Sequence, residues 1–215
     1  MKIVEVTGIA GVGKSYVIAL LSKKGNFIFD NEIIKKYNLN DFKLLIYFFK
    51  NKKSLYLFNA ILRVAFLLKV PLFNKINFIR NSIKKLGKNY FITSCLPRNN
   101  ELTIIVDEGV SHLYQNVVSH KKQNNQKLCR LINEIIEESN VSHEIIVVTA
   151  KDKDVFERLQ SRGHKRIKSE IEIDNFIKMG KNNIKALNKK FYKIIQIENN
   201  IDGNLEFELN KIIGK

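Results

Sequence analysis

Short runs of apolar, mostly β-branched residues recur along the chain and alternate with longer stretches whose apolar positions have helical spacing. Such continuous runs are typical of strands buried on both faces of a parallel sheet. The stretches between them are long enough for crossover helices, so the pattern predicts an α/β fold with a doubly wound, mainly parallel five-stranded sheet. The predicted strands are residues 2–7, 26–30, 102–108, 144–150 and 193–199.

One stretch interrupts this alternation. About seventy residues separate the second and third predicted strands, far more than one crossover helix needs. The stretch contains "DFKLLIYFFK" and "SLYLFNAILRVAFLLKVPLF". We therefore predict a helical insertion over residues 40–100, on the acceptor side of a site or capping it, within a single domain 1–215. Pro71 is expected to end or kink its apolar helix.

The apolar part of the insertion does not favour a membrane span. Its uninterrupted apolar runs are short, Arg63 lies near its middle and Lys69 follows. A central arginine costs about 2.5–3.5 kcal/mol on insertion scales. A helix packed on the sheet is the main expectation, and contact of an exposed amphipathic face of residues 54–73 with a membrane surface stays open.

The net charge of +16 points to an anionic partner: a nucleotide, a nucleic acid or a lipid surface. Codon bias also contributes, since the chain is rich in Asn and Ile. No RRM, KH or zinc-finger pattern accompanies the charge, so sequence-specific nucleic-acid binding is not favoured. Cys95 and Cys129 form no metal-ligand pattern and fit a reduced interior. We predict a cytoplasmic protein, with peripheral contact at the inner membrane face and a homodimer as open alternatives.

A phosphate-binding loop follows the first predicted strand. In "GIAGVGKS", Gly8, Gly13, Lys14 and Ser15 satisfy G-x-x-x-x-G-K-[ST], between a strand and a helix. Glycines let backbone N–H groups converge on phosphate oxygens, Lys14 would neutralise the β- and γ-phosphates, and Ser15 would hold Mg²⁺. The predicted nucleotide contacts are Gly8, Ala10, Gly11, Val12, Gly13, Lys14, Ser15 and Tyr16.

Two acidic residues end the third predicted strand, in "TIIVDEG". An enzyme with this loop needs a carboxylate on a neighbouring strand to hold the metal's water shell. Asp107 fits that Walker B role. Glu108 is a candidate for ordering a water, accepting the proton of a substrate hydroxyl or binding substrate.

Arginines cluster after the fourth predicted strand, in a chain that otherwise prefers lysine. Arg158 and Arg162 lie four residues apart on one helical face, and Arg166 follows in a loop. Asp152 is expected to cap this helix and Gly163 to follow its end. Arginines on a mobile segment stabilise the charge of a transferring phosphoryl group, so residues 158–172 are predicted to form a lid. A solvated basic helix end is the alternative.

Together these motifs resemble P-loop kinases of the nucleoside and nucleotide group, nearest in layout to thymidylate kinases. The resemblance rests on "VTGIAGVGKS", "IIVDEG" with "HLYQ", "VFERLQSRGHKR" and the final "YKIIQIENNIDGNLEFELNKII". It leaves only the central insertion unmatched. The chain is also similar to mostly uncharacterised bacterial P-loop kinase-like proteins with a DEG Walker B. The resemblance implies a kinase fold that uses ATP and Mg²⁺.

The chain departs from thymidylate kinases at two places. Those enzymes carry Asp-Arg after strand three, where this chain has Asp107-Glu108, and an acidic-proline motif after strand two, where it has "FDNEII". A dTMP acceptor is therefore not expected. In related small-molecule kinases a carboxylate after strand two orients the acceptor hydroxyl, a role that Asp30, or less readily Glu32, could fill. Further candidates on the acceptor side are Arg63 and Arg98, each with a structural ion pair as the alternative, together with His112 and Gln115.

Two functions follow. The first is an ATP-dependent phosphotransferase acting on an unidentified small molecule, nucleotide or sugar, with Lys14, Asp30, Glu108, Arg158, Arg162 and Arg166 as catalytic candidates. The second is a nucleotide-switched module or NTPase on a basic membrane or nucleic-acid surface. A third possibility is a kinase fold that has lost activity and only binds nucleotide. The guanine-specifying N/T-K-x-D motif is absent, since "TAKD" at 149–152 carries alanine. The R-x-x-x-R segment favours the kinase.

Overall fold

The sheet of the computed structural model has five parallel strands in the order β2-β3-β1-β4-β5. The structure describes residues 2–23, 27–96, 102–113, 125–139, 144–162, 169–185, 193–201, 203–205 and 209. The predicted α/β fold with a doubly wound parallel sheet is confirmed, and each strand lies within one residue of its predicted ends. The strands are β1 (Lys2–Thr7), β2 (Phe27–Phe29), β3 (Thr103–Asp107), β4 (Glu144–Thr149) and β5 (Lys193–Glu198).

Helices cover both faces of the sheet. Residues of β1 and β4 alternate between the faces, so that Val6 and Val148 pack on one side and Ile145 and Val147 on the other. The helices are α1 (Lys14–Ser22), α2 (Asp30–Lys36), α3 (Asp41–Lys50), α4 (Ser54–Leu67), α5 (Leu72–Tyr90), α6 (Asn125–Glu138), α7 (Asp152–Ser161) and α8 (Glu170–Lys185).

The helices α1, α7 and α8 contribute to one core cluster, with Val17, Leu159 and Ile177 buried in it. The helices α4, α5 and α6 share another, around Ile61 and Ile132. From β1 the chain runs to β2 and β3 on one side of the sheet, and the connection from β3 to β4 then crosses to the other side of β1. Ligands of open α/β sheets bind at such a switch point, outside the carboxyl ends of the strands.

The stretch between β2 and β3 folds as four helices, α2 to α5, followed by a π-helical turn (Phe91–Cys95). Its apolar segment is not one long helix: α4 ends at Leu67 and α5 begins after Pro71, as expected of a proline that cannot continue a helix. Among the described residues, no helix is both long enough and apolar enough to cross a membrane.

Candidate active site

The loop predicted to bind phosphate lies at the carboxyl end of β1 and leads into α1, which begins at Lys14. Gly11 and Gly13 have φ angles of +90° and +86°, which glycine adopts without strain. At Gly13 a side chain would also collide with the amide group of Asn199. The loop therefore requires glycine here both for its conformation and for a close contact.

Lys14 extends across the mouth of this loop. Its Nζ donates to the Gly8 carbonyl at 2.8 Å and to the Ile9 carbonyl at 3.3 Å, and lies 3.3 Å from Oε1 of Glu108. The ammonium group thus joins the loop to the end of β3. Ser15 and Tyr16, in the first turn of α1, are exposed.

Asp107 ends β3 beside β1, in register with Val6. Its Oδ1 atom is buried and has no hydrogen-bond partner among the described residues. Burial and the neighbouring Glu108 charge raise the pKa of Asp107, and Lys14 partly opposes this shift. A buried carboxylate oxygen without a partner, on the strand beside the loop that carries Ser15, fits the hard oxygen ligands of Mg²⁺.

Glu108 has a left-handed backbone, with φ of +48°. Its N–H donates to the Val6 carbonyl at 3.1 Å, and Nζ of Lys85 donates to its carbonyl. Its carboxylate lies between Lys14 and His112, whose Nε2 is 3.4 Å from Oε2. Burial would raise the pKa of Glu108, but His112 in its protonated form and the charges on Lys14 and Lys85 outweigh burial and lower it. Glu108 is therefore an ionised, half-exposed acceptor of hydrogen bonds.

His112 is mostly buried in a short 3₁₀ turn (Val110–His112), rather than on the surface of a helix. Burial, together with the charge on Lys85, lowers the pKa of His112 to about 4, so its imidazole is neutral at pH 7. Gln115, the other acceptor-side candidate after β3, lies outside the described residues.

Sequence reasoning missed Glu5, which stands in the middle of β1 and is 2% exposed. Its carboxylate accepts hydrogen bonds from the N–H groups of Val110 at 3.2 Å and Ser111 at 3.1 Å. Gly109 packs directly on this carboxylate, where a side chain would not fit. Burial raises the pKa of Glu5, opposed by its bonds to Ser111. The available signal was an acidic residue inside an otherwise buried strand.

Asp30 does not close β2 as predicted: the strand ends at Phe29, and Asp30 begins α2. Its side chain is almost fully buried and forms an ion pair with Lys88 of α5. Glu32, two residues on, is exposed to solvent. The structure thus brings Asp30 and not Glu32 to the edge of the sheet.

Lys85 and Lys88 were also missed, although both reach the site from α5. They lie three residues apart on one face of that helix, and their ammonium groups contact Glu108 and Asp30. Burial and the charge on Lys88 lower the pKa of Lys85 to about 8. The sequence signal was two lysines at helical spacing, which is also what a solvated helix face shows.

The loop is contacted from the side opposite Glu108 by Arg158, the first arginine of the predicted lid. Arg158 donates through Nη1 to the carbonyls of Gly11 at 3.3 Å and Val12 at 3.2 Å, and through Nη2 to that of Asn199 at 3.0 Å. Its guanidinium therefore contacts loop carbonyls directly. Arg162 is the exposed C-cap of α7, one residue past its end, and Arg166 and Gly163 lie outside the described residues. Lys151 rather than Asp152 is the N-cap residue.

Asn199, which follows β5, was not predicted. It is buried, and its Nδ2 donates to the Val12 carbonyl at 2.8 Å. Its backbone N–H donates to Thr149 at 2.8 Å, and Asp154 accepts the N–H of Ile201 at 2.8 Å. These bonds fix the segment after β5 against α7. A polar residue at the carboxyl end of a parallel strand was the signal.

A cleft of about 880 Å³ opens beside the loop on this side. The start of α1, the end of α7 and the segment after β5 form its walls, through residues that include Tyr16, Arg158, Arg162 and Asn199. Asp107 and Glu108 do not line it. The cleft therefore lies on one side of the loop, and the carboxylates of Asp107 and Glu108 lie on the other.

An arginine within an apolar helix is expected to be buried and paired, but Arg63 is exposed on α4, so this expectation is wrong. Arg98 lies outside the described residues. No cluster of three or more His, Cys, Asp or Glu side chains able to hold a metal occurs in the described part of the chain.

Comparison with solved structures finds kinases of nucleosides and nucleotides. Deoxyadenosine kinase from M. mycoides with bound dATP aligns with 99% of this chain and 97% of its own, at 15% identity and a TM-score of 0.50. The same enzyme with products dCMP and dCDP gives 16% identity and a TM-score of 0.52, with the same coverage of both chains. Thymidylate kinase from Candida albicans aligns with 99% of this chain and 91% of its own, at 14% identity and a TM-score of 0.58.

Comparison at the sequence level does not assign the chain to a family. No family model matches the chain, and no curated protein matches it significantly. At such low identity the structural likeness establishes the fold alone. The chain has the fold of the P-loop nucleoside and nucleotide kinases.

Proposed function

We propose that this protein is an ATP-dependent phosphotransferase that transfers the γ-phosphate to a small acceptor of the nucleoside or nucleotide type. The observation that carries this proposal is the position of Lys14. Its ammonium group lies between the loop carbonyls of Gly8 and Ile9 and the carboxylate of Glu108. A phosphoryl group held there would have the donor loop on one side and an ionised carboxylate on the other. The kinase fold of the structural neighbours supports the same function.

The donor would lie on the loop from Gly8 to Tyr16, with phosphates on its N–H groups and on Lys14. The cleft of about 880 Å³ would take the nucleobase and ribose. It opens directly from Gly13 and Tyr16 at the start of α1, which supports this assignment. Arg158 would act as a positioning residue, because its guanidinium is engaged with loop carbonyls.

Ser15 and Asp107 would hold Mg²⁺ together with donor phosphates and water. The metal would supply charge neutralisation on the phosphates. The fit rests on the exposed Ser15 beside the loop and on the buried, unpartnered oxygen of Asp107. Two protein oxygens with several waters suit magnesium, which keeps part of its hydration shell.

The acceptor would bind on the side of Glu108. An attacking acceptor hydroxyl forms the new P–O bond, the bond from the γ-phosphorus to ADP breaks, and Glu108 receives the hydroxyl proton. Glu108 suits this role better than Asp30, since Asp30 is buried and paired with Lys88. Lys85 would position Glu108 through its carbonyl, and Lys88 would hold Asp30.

Two parts of the chain would complete the site. Residues 40–100 would form its acceptor side, as the contacts of Lys85 and Lys88 support. Residues 158–172 would form the lid, with Arg162 and Arg166 closing over the phosphates. Arg162 already lines the cleft beside the loop. A cytoplasmic location belongs to the proposal, and a homodimer stays an open alternative.

The test is a transfer assay with γ-labelled ATP and Mg²⁺ against separate panels of nucleosides, nucleoside monophosphates and sugars. We expect label on a member of the first two panels, and loss of transfer in Lys14→Ala and Asp107→Asn. Lys23→Ala, at the exposed end of α1, is the control and should transfer normally. Hydrolysis by water alone, at a rate that no acceptor changes, would contradict the kinase and favour an NTPase.

A further inference from the structure

The corner between α4 and α5 exposes a group of large apolar side chains. Phe66 is 78% exposed, Leu72 73% and Phe73 72%, and Leu67 and Ile76 are exposed beside them. We call these five residues the apolar tip. Ten of the fourteen large hydrophobic residues that are exposed in the described chain lie between Phe42 and Ile76. The exposed apolar surface is therefore concentrated in the helical insertion.

The apolar tip is held in place and is not a frayed end. Leu68 follows α4 and is 2% exposed in the core, and Pro71 starts α5. Lys75 donates from Nζ to the Phe66 carbonyl across the corner at 3.4 Å. The tip is thus presented by an anchored turn between two helices.

An apolar groove continues from the tip. Ile76 lines it with Phe42, Leu45 and Ile79, between α3 and α5, and its volume is about 500 Å³. Asp41 stands at its rim and is paired with Arg80 at 2.6 Å and with Lys84 at 2.5 Å. These two partners lower the pKa of Asp41. The acidic residue beside the groove is therefore neutralised.

The segment that carries the apolar tip has charged residues of a single sign. Residues 42–96 contain eleven of the chain's 37 lysines and arginines and none of its 21 acidic residues. Arg63 and Lys69, which flank the tip, are exposed and have no carboxylate partner among the described residues. Three of these cations, Arg63, Lys69 and Lys75, lie within or beside the segment that forms the apolar tip.

We propose that the apolar tip and its basic surroundings dock this protein on an anionic membrane surface. Phe66, Leu72 and Phe73 enter the boundary between headgroups and acyl chains, and the neighbouring cations bind lipid phosphates. A second copy of the chain fits less well, because a two-fold contact would bring the same cationic surface against itself. A bilayer with anionic lipids matches both the apolar side chains and the charge. This inference goes beyond the proposed kinase activity.

The test is co-sedimentation of the full chain with vesicles of phosphatidylcholine, or of phosphatidylcholine and phosphatidylglycerol in equal amounts. We expect binding to the anionic vesicles only, weakening as salt increases. The double variant Leu72→Ser with Phe73→Ser should lower the partition coefficient about tenfold or more. Lys69→Glu with Lys75→Glu should lower it by a similar factor.

Matched controls come from α8, which carries an exposed isoleucine and an exposed lysine away from the tip. Ile171→Ser and Lys178→Glu should bind the vesicles as the wild type does. Equal loss in the controls, or no binding to the anionic vesicles, would overturn the proposal. So would a dimer that the tip variant converts to monomers while vesicle binding stays unchanged, or retention on DNA in the absence of vesicle binding.

Discussion

On the proposed donor side of Lys14, the loop is held through backbone carbonyls, which Arg158 and Asn199 contact from neighbouring segments. On the proposed acceptor side, the contacts join charged side chains to the ends of β2 and β3, and α5 supplies the cations. A loop that binds phosphate depends on glycines close together in sequence. An acceptor site built from charged residues that are far apart in sequence changes when a different helix is inserted. The phosphate loop can therefore be recognised from a sequence motif, whereas the acceptor site can be located only once the fold is known.

The largest expected effect is on the residue that joins the two sides. Lys14→Ala removes the cation from the loop mouth and should lower phosphoryl transfer by about 10²–10³-fold, the usual cost of one preorganised donor. The measurement is the initial rate of transfer at saturating ATP, with Lys23→Ala as the matched lysine control. A loss below a factor of ten would mean that Lys14 does not face the transferred group.

The stability of the protein should depend on the buried ion pair between Asp30 and Lys88 on the proposed acceptor side. Lys88→Met leaves Asp30 buried without its partner and should lower the free energy of unfolding by about 3 kcal/mol. Lys84 lies on the same helix as Lys88 and forms an exposed pair with Asp41. Lys84→Met should therefore lower the free energy of unfolding by less than about 1 kcal/mol. Urea unfolding measures both. Adding Asp30→Asn to Lys88→Met should recover part of the loss, and failure to do so would indicate a packing defect.

The buried imidazole should make stability depend on pH. The folded-state pKa of His112 is about 4, against about 6.5 for an ordinary histidine. Between these values the unfolded chain binds more protons, so stability falls as pH decreases from about 6.5 to 4, by up to about 3 kcal/mol. His112→Gln should remove this part of the slope in urea unfolding across that range. An unchanged slope would assign the pH dependence to other groups.

The smallest effect is expected from the amide that holds the donor loop. Asn199→Ala removes one buried hydrogen bond to Val12 and should lower the free energy of unfolding by about 1 kcal/mol. Because the loop loses a support, the Kd for ATP should rise several-fold by calorimetric titration. Asn81→Ala, at an exposed position of α5, is the control. An unchanged Kd would show that Arg158 alone is enough to hold the loop.

The sheet was predictable because each strand is a local apolar run, and the strand ends agree with the pattern within one residue. The motif of Gly8 to Ser15 was readable for the same reason. Glu5, Lys85 and Lys88 were not, because their partners are separated by 105, 23 and 58 residues. The burial of Arg63 was predicted wrongly, because an arginine among apolar residues looks buried until it is known which face of the helix is exposed. Asp30 was found, but its pairing with Lys88 required the insertion to be folded.

The most direct test of the two-sided site is Glu108→Gln, assayed for ATP binding and for transfer of the γ-phosphate to an acceptor that the wild type uses. The substitution keeps the size of the side chain and removes the charge that faces the acceptor. We expect an unchanged Kd for ATP and a rate of transfer lower by about 10²-fold or more. Transfer at the wild-type rate would contradict it, as would loss of ATP binding in parallel with transfer.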